Sequence, residues 1–382
     1  MSGEIIFDGS PIPHVVRAKV DKELSGNWTV AFRAVLDTAP VLTQDSLLTI
    51  EGQPFIINKL GDFREGEQKY IDVTAVHQIF HLEQNILDEP YTYKGNVVEH
   101  VETLLQRQEG TNFTVAVDPT MSGTPLEEFL EVGAELDFSV GDDLYRSFRS
   151  ILWNFLARYR VDGNVIYLMP ENHVVPSSIS FRYGFNNVSV QRDYDLDNVV
   201  KKLVARAWLK GVMFEGNLDP VVTVEYGSGT PARFADFGTL DSMTSLNLIA
   251  SRYMSTRETP DATYRMRVVD LLRLDPAKRP GGVSSTPIDV GLAVHVEDPG
   301  LGIDQDLLVQ KYSYSLIEDH EPASLVIGTI RREHTSWIVG EVVTAVTQRD
   351  DRRPRLWTTT DPAVEPDPEM GKDGDVFVRP KL

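Results

Sequence analysis

The chain has 382 residues, 37 of them basic and 57 acidic, for a formal charge of −20, and it contains no cysteine. That length supports roughly two to four domains with real cores. The lack of cysteine removes disulfides, thiolate metal sites and cysteine nucleophiles together, and so acidic a surface repels phosphate, which argues against sequence-specific nucleic-acid binding. Hydrophobic residues at 41% and charged residues at 25% are ordinary for a globular protein. No apolar run reaches the length of a membrane span. The opening Met1–Asp8 lacks the basic start and long apolar stretch of a secretory signal. The Asn-x-Ser/Thr triplets at Asn27, Asn112 and Asn187 are therefore expected to stay unglycosylated.

Residues 1–93 read as strands. Val30, Phe32, Ala34 and Leu36 alternate with more polar neighbours, the period of a half-buried strand. Leu47–Ile50, a Gly-containing turn at Glu51–Pro54 and Phe55–Ile57 read as a hairpin. Tyr70–Ala75 is a further alternating strand, and the block is expected to be a small antiparallel barrel or sandwich.

Residues 94–177 change period. Val97, Val98, Val101, Leu104 and Leu105 share one helical face, with Gly110 beyond as a stop. A strand at Phe113–Val117 follows. Leu144, Phe148, Ile151, Leu152, Phe155, Leu156 and Tyr159 then form the clearest amphipathic stripe in the chain. Ser139 and Asp142 have the spacing of a capping box, with Asp in place of Glu. Gly163 and the buried strand Val165–Leu168 complete a compact α+β unit.

Residues 178–345 return to strands, at 199–209, 221–226, 264–272, 290–296, 307–314 and 324–330, with one helix over 241–254. Glu297-Asp298-Pro299-Gly300 marks a hairpin turn. Residues 346–382 differ: a charge run at 348–354, a Pro/acidic linker at 361–368, and Gly374–Val378 as one docking strand.

Few residues invite chemistry. His77 and His81 lie four apart, but the zinc-hydrolase pattern needs Glu after the first His, and Gln78 stands there. The preceding residues read as a strand, which would separate the two rings by ~13 Å, so packed histidines are the expectation. Gly227-Ser228-Gly229-Thr230-Pro231-Ala232 mimics a phosphate loop without the surrounding βαβ alternation, and reads as a plain loop. The carboxylate pairs Glu127/Glu128, Asp142/Asp143 and Glu318/Asp319 would serve a glycosidase only if two met in one cleft. Trp28, Trp153, Trp208, Trp337 and Trp357 are scattered, with Trp153 off the main helical stripe and free to pack against another domain. No catalytic, cofactor-binding or metal-binding residue is assigned, and no cofactor is expected.

Several stretches carry a resemblance. Gln53–Lys59 and Tyr70-Ile71-Asp72-Val73-Thr74-Ala75-Val76-His77-Gln78-Ile79-Phe80-His81-Leu82 resemble the N-terminal hub region of siphophage tail-associated proteins. Tyr183-Gly184-x-Asn186, the strand Tyr264–Leu271 and Gly291–Val296 are similar to later signatures of that family. The resemblance spans about residues 1–345. It implies an α+β, mostly β fold shared with contractile-tail baseplate hubs, with two tube-like antiparallel β-barrel or sandwich domains and smaller α+β parts. The expected segments are a first hub β domain at 1–93, an α+β domain at 94–177, a second hub β domain with one helix at 178–345, and a linker and tail at 346–382. The resemblance further implies a homotrimeric, non-enzymatic ring of the phage virion, made in the host cytoplasm and without stable membrane insertion. Its expected partners are a distal tail protein, a tape measure protein, and receptor-binding or fibre proteins held by the C-terminal tail. DNA would pass through the ring without specific binding, along an acidic channel that does not hold phosphates. Many members continue into a peptidase, wall hydrolase or receptor-binding region; this chain stops at Leu382, a departure from that pattern that leaves lytic activity open. The alternatives from composition are a virion-associated peptidoglycan hydrolase using a carboxylate pair, or a module binding host-wall carbohydrate through exposed Trp.

Overall fold

The structure, a computed structural model, describes residues 4–195, 199–214, 217–255, 257, 261–271, 287–317, 321–328, 356–358 and 376–378. They fall into two units, 1–330 and 331–382. The first unit opens with seven strands: β1 (Ile5–Phe7), β2 (Ser10–Pro11), β3 (Val15–Glu23), β4 (Trp28–Val35), β5 (Leu47–Ile50), β6 (Gln53–Glu65) and β7 (Gln68–His77). A 3-10 turn at Gln78–Gln84 leads into β8 (Tyr91–Gly95), α1 (Val97–Leu105), β9 (Thr114–Val117), α2 (Thr124–Glu131), β10 (Ala134–Phe138), α3 (Leu144–Asn154), β11 (Ala157–Asp162) and β12 (Val165–Pro170). Then come β13 (Ser180–Arg182), β14 (Asn187–Asp195), β15 (Lys202–Leu209), the short β16 (Met213–Phe214) and β17 (Asn217–Leu218), β18 (Val221–Gly227), β19 (Ala232–Leu240) and α4 (Met243–Ser255). The unit closes with β20 (Asp261–Val268), β21 (Ala293–Asp298), β22 (Ile303–Ser315) and β23 (Ala323–Gly328).

Two hydrophobic cores divide this unit, and each draws on distant stretches of sequence. The first lies on a 13-stranded sheet of order β14-β20-β23-β22-β3-β4-β7-β6-β5-β1-β2, with β21 joining β22 to β13. Strand β4 explains its centre. Val30, Phe32 and Ala34 alternate inward and are almost wholly buried, and Val30 faces Val20 on β3 and Ala75 on β7. The seam between N-terminal and later strands is β3 against β22, where Tyr314 faces Val20. Ion pairs flank it, Lys311 with Glu23 at 2.6 Å and Lys22 with Asp289 at 2.7 Å. The strands expected as separate blocks at 1–93 and 178–345 therefore share one sheet and one core.

The second core gathers α1, α3, α4, the three-stranded sheet β11-β12-β9 and the inner face of a five-stranded sheet, β18-β15-β19-β10-β8. Leu144, Phe148, Ile151 and Leu152 form the buried stripe of α3. Leu203, Ala205, Ala207 and Leu209 are the buried alternates of β15. Segment 178–345 thus contributes to both cores.

Some local expectations are corrected. The stripe read through Tyr159 ends sooner: α3 stops at Asn154, and Leu156 takes a positive φ of 47° that turns the chain into β11, where Tyr159 lies. The N-cap of α3 is Asp143, whose carboxylate accepts from the Arg146 amide at 2.7 Å, not Ser139. Ser139 and Asp142 make the turn before it, with Asp142 accepting from the Ser139 amide at 3.0 Å. His77 and His81 are not on one strand: β7 ends at His77 and a 3-10 turn follows. The helix expected over 241–254 is α4, and the 97–105 helix is α1, closed by a full capping box between Asn96 and Glu99.

In the second unit, β24 (Leu356–Thr358) pairs in parallel with β25 (Val376–Val378), so part of the expected docking strand at Gly374–Val378 is a strand paired within its own unit. The charge run at 348–354 and the linker at 361–368 lie outside the described residues.

Candidate interaction surfaces

The chain passes from the first core to the second at His77. Its ring is buried and stacks on Trp28, with centroids 4.3 Å apart and 2° between planes. Lys22 sits over the Trp28 ring at 3.9 Å, and Phe55 meets both rings edge-on at 5.5 Å. Trp28 packs against both cores. His77 Nδ1 accepts from the Ile79 amide at 3.2 Å and so caps the 3-10 turn that begins the second core. That bond places the ring proton on Nε2, which is buried without a hydrogen-bond partner. Burial, reinforced by Lys22, pulls the His77 pKa down to about 3. The ring is a neutral packing piece at the junction of the cores.

The other residues raised by the sequence stay apart. Among the described residues, no group of three His, Asp or Glu is placed to hold a metal. Residues 227–232 join β18 to β19, and the Pro231 carbonyl accepts from the Lys201 amide at 2.9 Å, so a strand follows the loop where a phosphate loop needs a helix. Glu127 and Glu128 lie on α2, Asp142 and Asp143 in the α3 capping turn, and Glu318 and Asp319 outside the described residues. Trp153 is half-buried on α3, Trp208 is exposed on β15, and Trp337 lies outside the described residues.

Among the described residues, two exposed apolar surfaces stand out. One is a tight turn between β13 and β14, where Tyr183 is 57% and Phe185 63% exposed. Asn186 locks it, accepting from the Arg182 amide and donating to the Ser180 carbonyl, both at 2.8 Å. Gly184 adopts a φ of 80° that favours glycine there. The other is the solvent face of the five-stranded sheet. Trp208 faces Val221 across β15 and β18, Arg206 faces Thr223, and Phe234 on β19 lies opposite Val204. Trp208, Val221 and Phe234 are all exposed, and Trp208 is held by its Nε1–H donating to the Asp219 carbonyl at 3.0 Å. Strand β19 completes this face, and Ala232-Arg233-Phe234-Ala235 at its start gives no clear period-2 signal in the sequence.

Residues 8–77 match the family of the prophage endopeptidase tail N-terminal domain. The match takes in Gln53–His77, part of the run that carries the sequence resemblance. No curated protein matches the sequence. Among solved structures, prophage tail protein gp18 from Listeria monocytogenes EGD-e is similar with a TM-score of 0.61 at 13% identity, over 91% of this chain and 100% of that one. The tail protein from Neisseria meningitidis MC58 gives 0.61 at 13% identity, over 86% of this chain and 96% of its own. The Escherichia coli c3393 protein, a component of the type VI secretion system described as structurally similar to the T4 bacteriophage tail proteins gp27 and gp5, gives 0.50 at 12% identity, over 86% of this chain and 77% of its own. The fold is that of phage tail proteins, mostly β with several sheets. More narrowly, β2–β7 fall within the stretch that is similar to the prophage endopeptidase tail N-terminal domain.

Proposed function

We propose that this chain is a structural hub of a phage tail tip. Three copies form a ring that continues the tail tube, keeps it closed, and opens for DNA passage during infection. The observation that supports this best is the end-to-end fold likeness to a prophage tail protein, which includes the whole of that chain. The likeness to c3393, itself compared with gp27 and gp5, adds the hub character. The role is mechanical, not enzymatic: strands from 1–93 and 178–345 together make the hub sheet, 94–177 with the rest of 178–345 makes the α+β part, and 346–382 is the tether. Its neighbours are the distal tail protein, the tape measure protein, and receptor-binding or fibre proteins docked through the C-terminal tail. The ring sits at the tail tip or baseplate after synthesis in the host cytoplasm, and its acidic lumen passes DNA without holding it.

The test is the mass of the purified full chain by light scattering across a concentration series. A mass three times that of the chain supports the reading. A monomer at the highest concentrations, also when mixed with its distal tail protein, contradicts it.

A further inference from the structure

The two cores of the first unit meet at a small junction built largely from polar groups. Among the described hydrophobic residues, Trp28 alone packs against both. The turns β3–β4 and β5–β6 come from the first core, and β11 with the turn after it from the second. Ser25 Oγ donates to the Tyr159 carbonyl at 3.1 Å and accepts from the Tyr159 amide at 3.0 Å. The Gln53 side chain donates to Asp162 at 3.0 Å and accepts from the Gly163 amide at 2.8 Å.

Arg158 lies inside this junction, next to Tyr159, and is only 3% exposed. A Cβ on Gly291, just before β21, would stand 3.6 Å from its Nη1. Nη2 donates to the His173 carbonyl, whereas Nε and Nη1 are buried without an acceptor among the described residues. Asp118 is bonded instead to Arg160 and Thr120. Burial outweighs the through-space pull of Glu171 and Asp118 and lowers the Arg158 pKa to about 10. Two more buried donors without a partner border the same junction, Nε2 of Gln310 and Nε2 of His77. The Gln310 carbonyl accepts from the Leu24 amide of the β3–β4 turn at 2.8 Å, and His77 stacks on Trp28.

A buried donor without an acceptor forfeits the hydrogen bonds it makes in water, and an unpaired buried charge forfeits more. Parting the cores gives each of these donors water. A contact that is small, polar and short of apolar anchors also opens at lower free energy than a packed core. Both effects favour separation at this one place, while each core keeps its own packing.

We propose that this junction is a flexing seam, at which the two cores part as nearly rigid bodies and Arg158 biases the chain towards the parted form. The assignment of that motion to the opening of the tube rests on the hub reading above; the seam itself is a property of the single chain.

Amide hydrogen exchange of the purified full chain, followed by mass spectrometry, reads the seam. The peptide bearing the Tyr159 amide is expected to exchange at least tenfold faster than peptides from β4 and β15, which lie in the two cores. Arg158→Met removes the buried charge, keeps an unbranched side chain, and is expected to slow that exchange at least tenfold. A second variant serves if Arg158→Met loses the wild-type circular dichroism. The chain has no cysteine, so Gln53→Cys/Asp162→Cys can be bridged by a short reducible bis-thiosulfonate linker that ties the cores together. The linked chain is expected to exchange at Tyr159 at least tenfold more slowly than the same chain after reduction. Wild-type exchange at Tyr159 as slow as in β4 and β15, or exchange unchanged by the linker, would overturn the seam. A folded Arg158→Met chain that exchanges like wild type would overturn the role given to Arg158. Exchange is read whatever the oligomeric state, so a monomeric mass would remove the hub reading and leave the seam standing.

Discussion

Acid should loosen the junction between the two cores through His77. An unfolded histidine protonates near its ordinary value of 6.5, whereas burial against Trp28 with Lys22 nearby holds His77 at about 3 in the folded chain. The unfolded state therefore binds the proton first, and stability is lost as pH falls from about 6.5 towards 3. The slope is about 1.4 kcal/mol per pH unit. Between pH 7 and pH 5 this amounts to about 2 kcal/mol, and over the full window to about 5 kcal/mol. The His77→Gln variant removes the titrating ring and retains an acceptor for the Ile79 amide. Urea unfolding of both chains at pH 7 and pH 5 should show wild type losing about 2 kcal/mol more than the variant. His100 and His173 are also held low by burial, but they are common to both chains and cancel. Equal pH dependence in the two chains, or an imidazole carbon resonance of His77 titrating near 6.5, would refute the reasoning.

Three further outcomes follow from the packing. Gly227 has a φ of 72°, and a Cβ there would lie 2.4 Å from the Lys201 carbonyl oxygen. Gly227→Ala should cost roughly 2 kcal/mol or more, read as a lower urea midpoint. Asp143→Ala removes the α3 N-cap and should cost about 1 kcal/mol, with Asp143→Asn close to wild type in the same assay. Phe148→Ala opens a hole at the centre of the second core and should cost about 3–5 kcal/mol, visible as a drop in melting temperature.

Much of the fold was legible because its signals are local. The alternation in β4 and β7, the Gly-containing turn between β5 and β6, and the stripes of α1 and α3 each sit within a dozen residues. What escaped was long-range. Nothing near Tyr314 announces that β22 will lie beside β3, because period-2 patterning fixes which face is buried and leaves the partner open. Strand β19 was missed because Arg233 and Phe234 are both exposed and blur its alternation. Helix α2 was missed because it buries only Phe129 deeply, leaving little stripe to read. The end of α3 was misplaced because apolar residues continue from helix into β11, and only the left-handed backbone at Leu156 marks the break. His77 was read as a structural position, and the Trp28 stack gives that reading its physical content. Val221–Gly227 reads as a strand, but its place at one end of the five-stranded sheet depends on the order of the whole sheet.

The central claim is that copies of this chain close into a hub around a channel. Electron cryomicroscopy of the purified full chain tests it most directly. Three-fold class averages with a closed or plugged central passage and an acidic channel wall are expected. Isolated single chains, a two-fold dimer, or a ring whose channel is lined with basic side chains would contradict it.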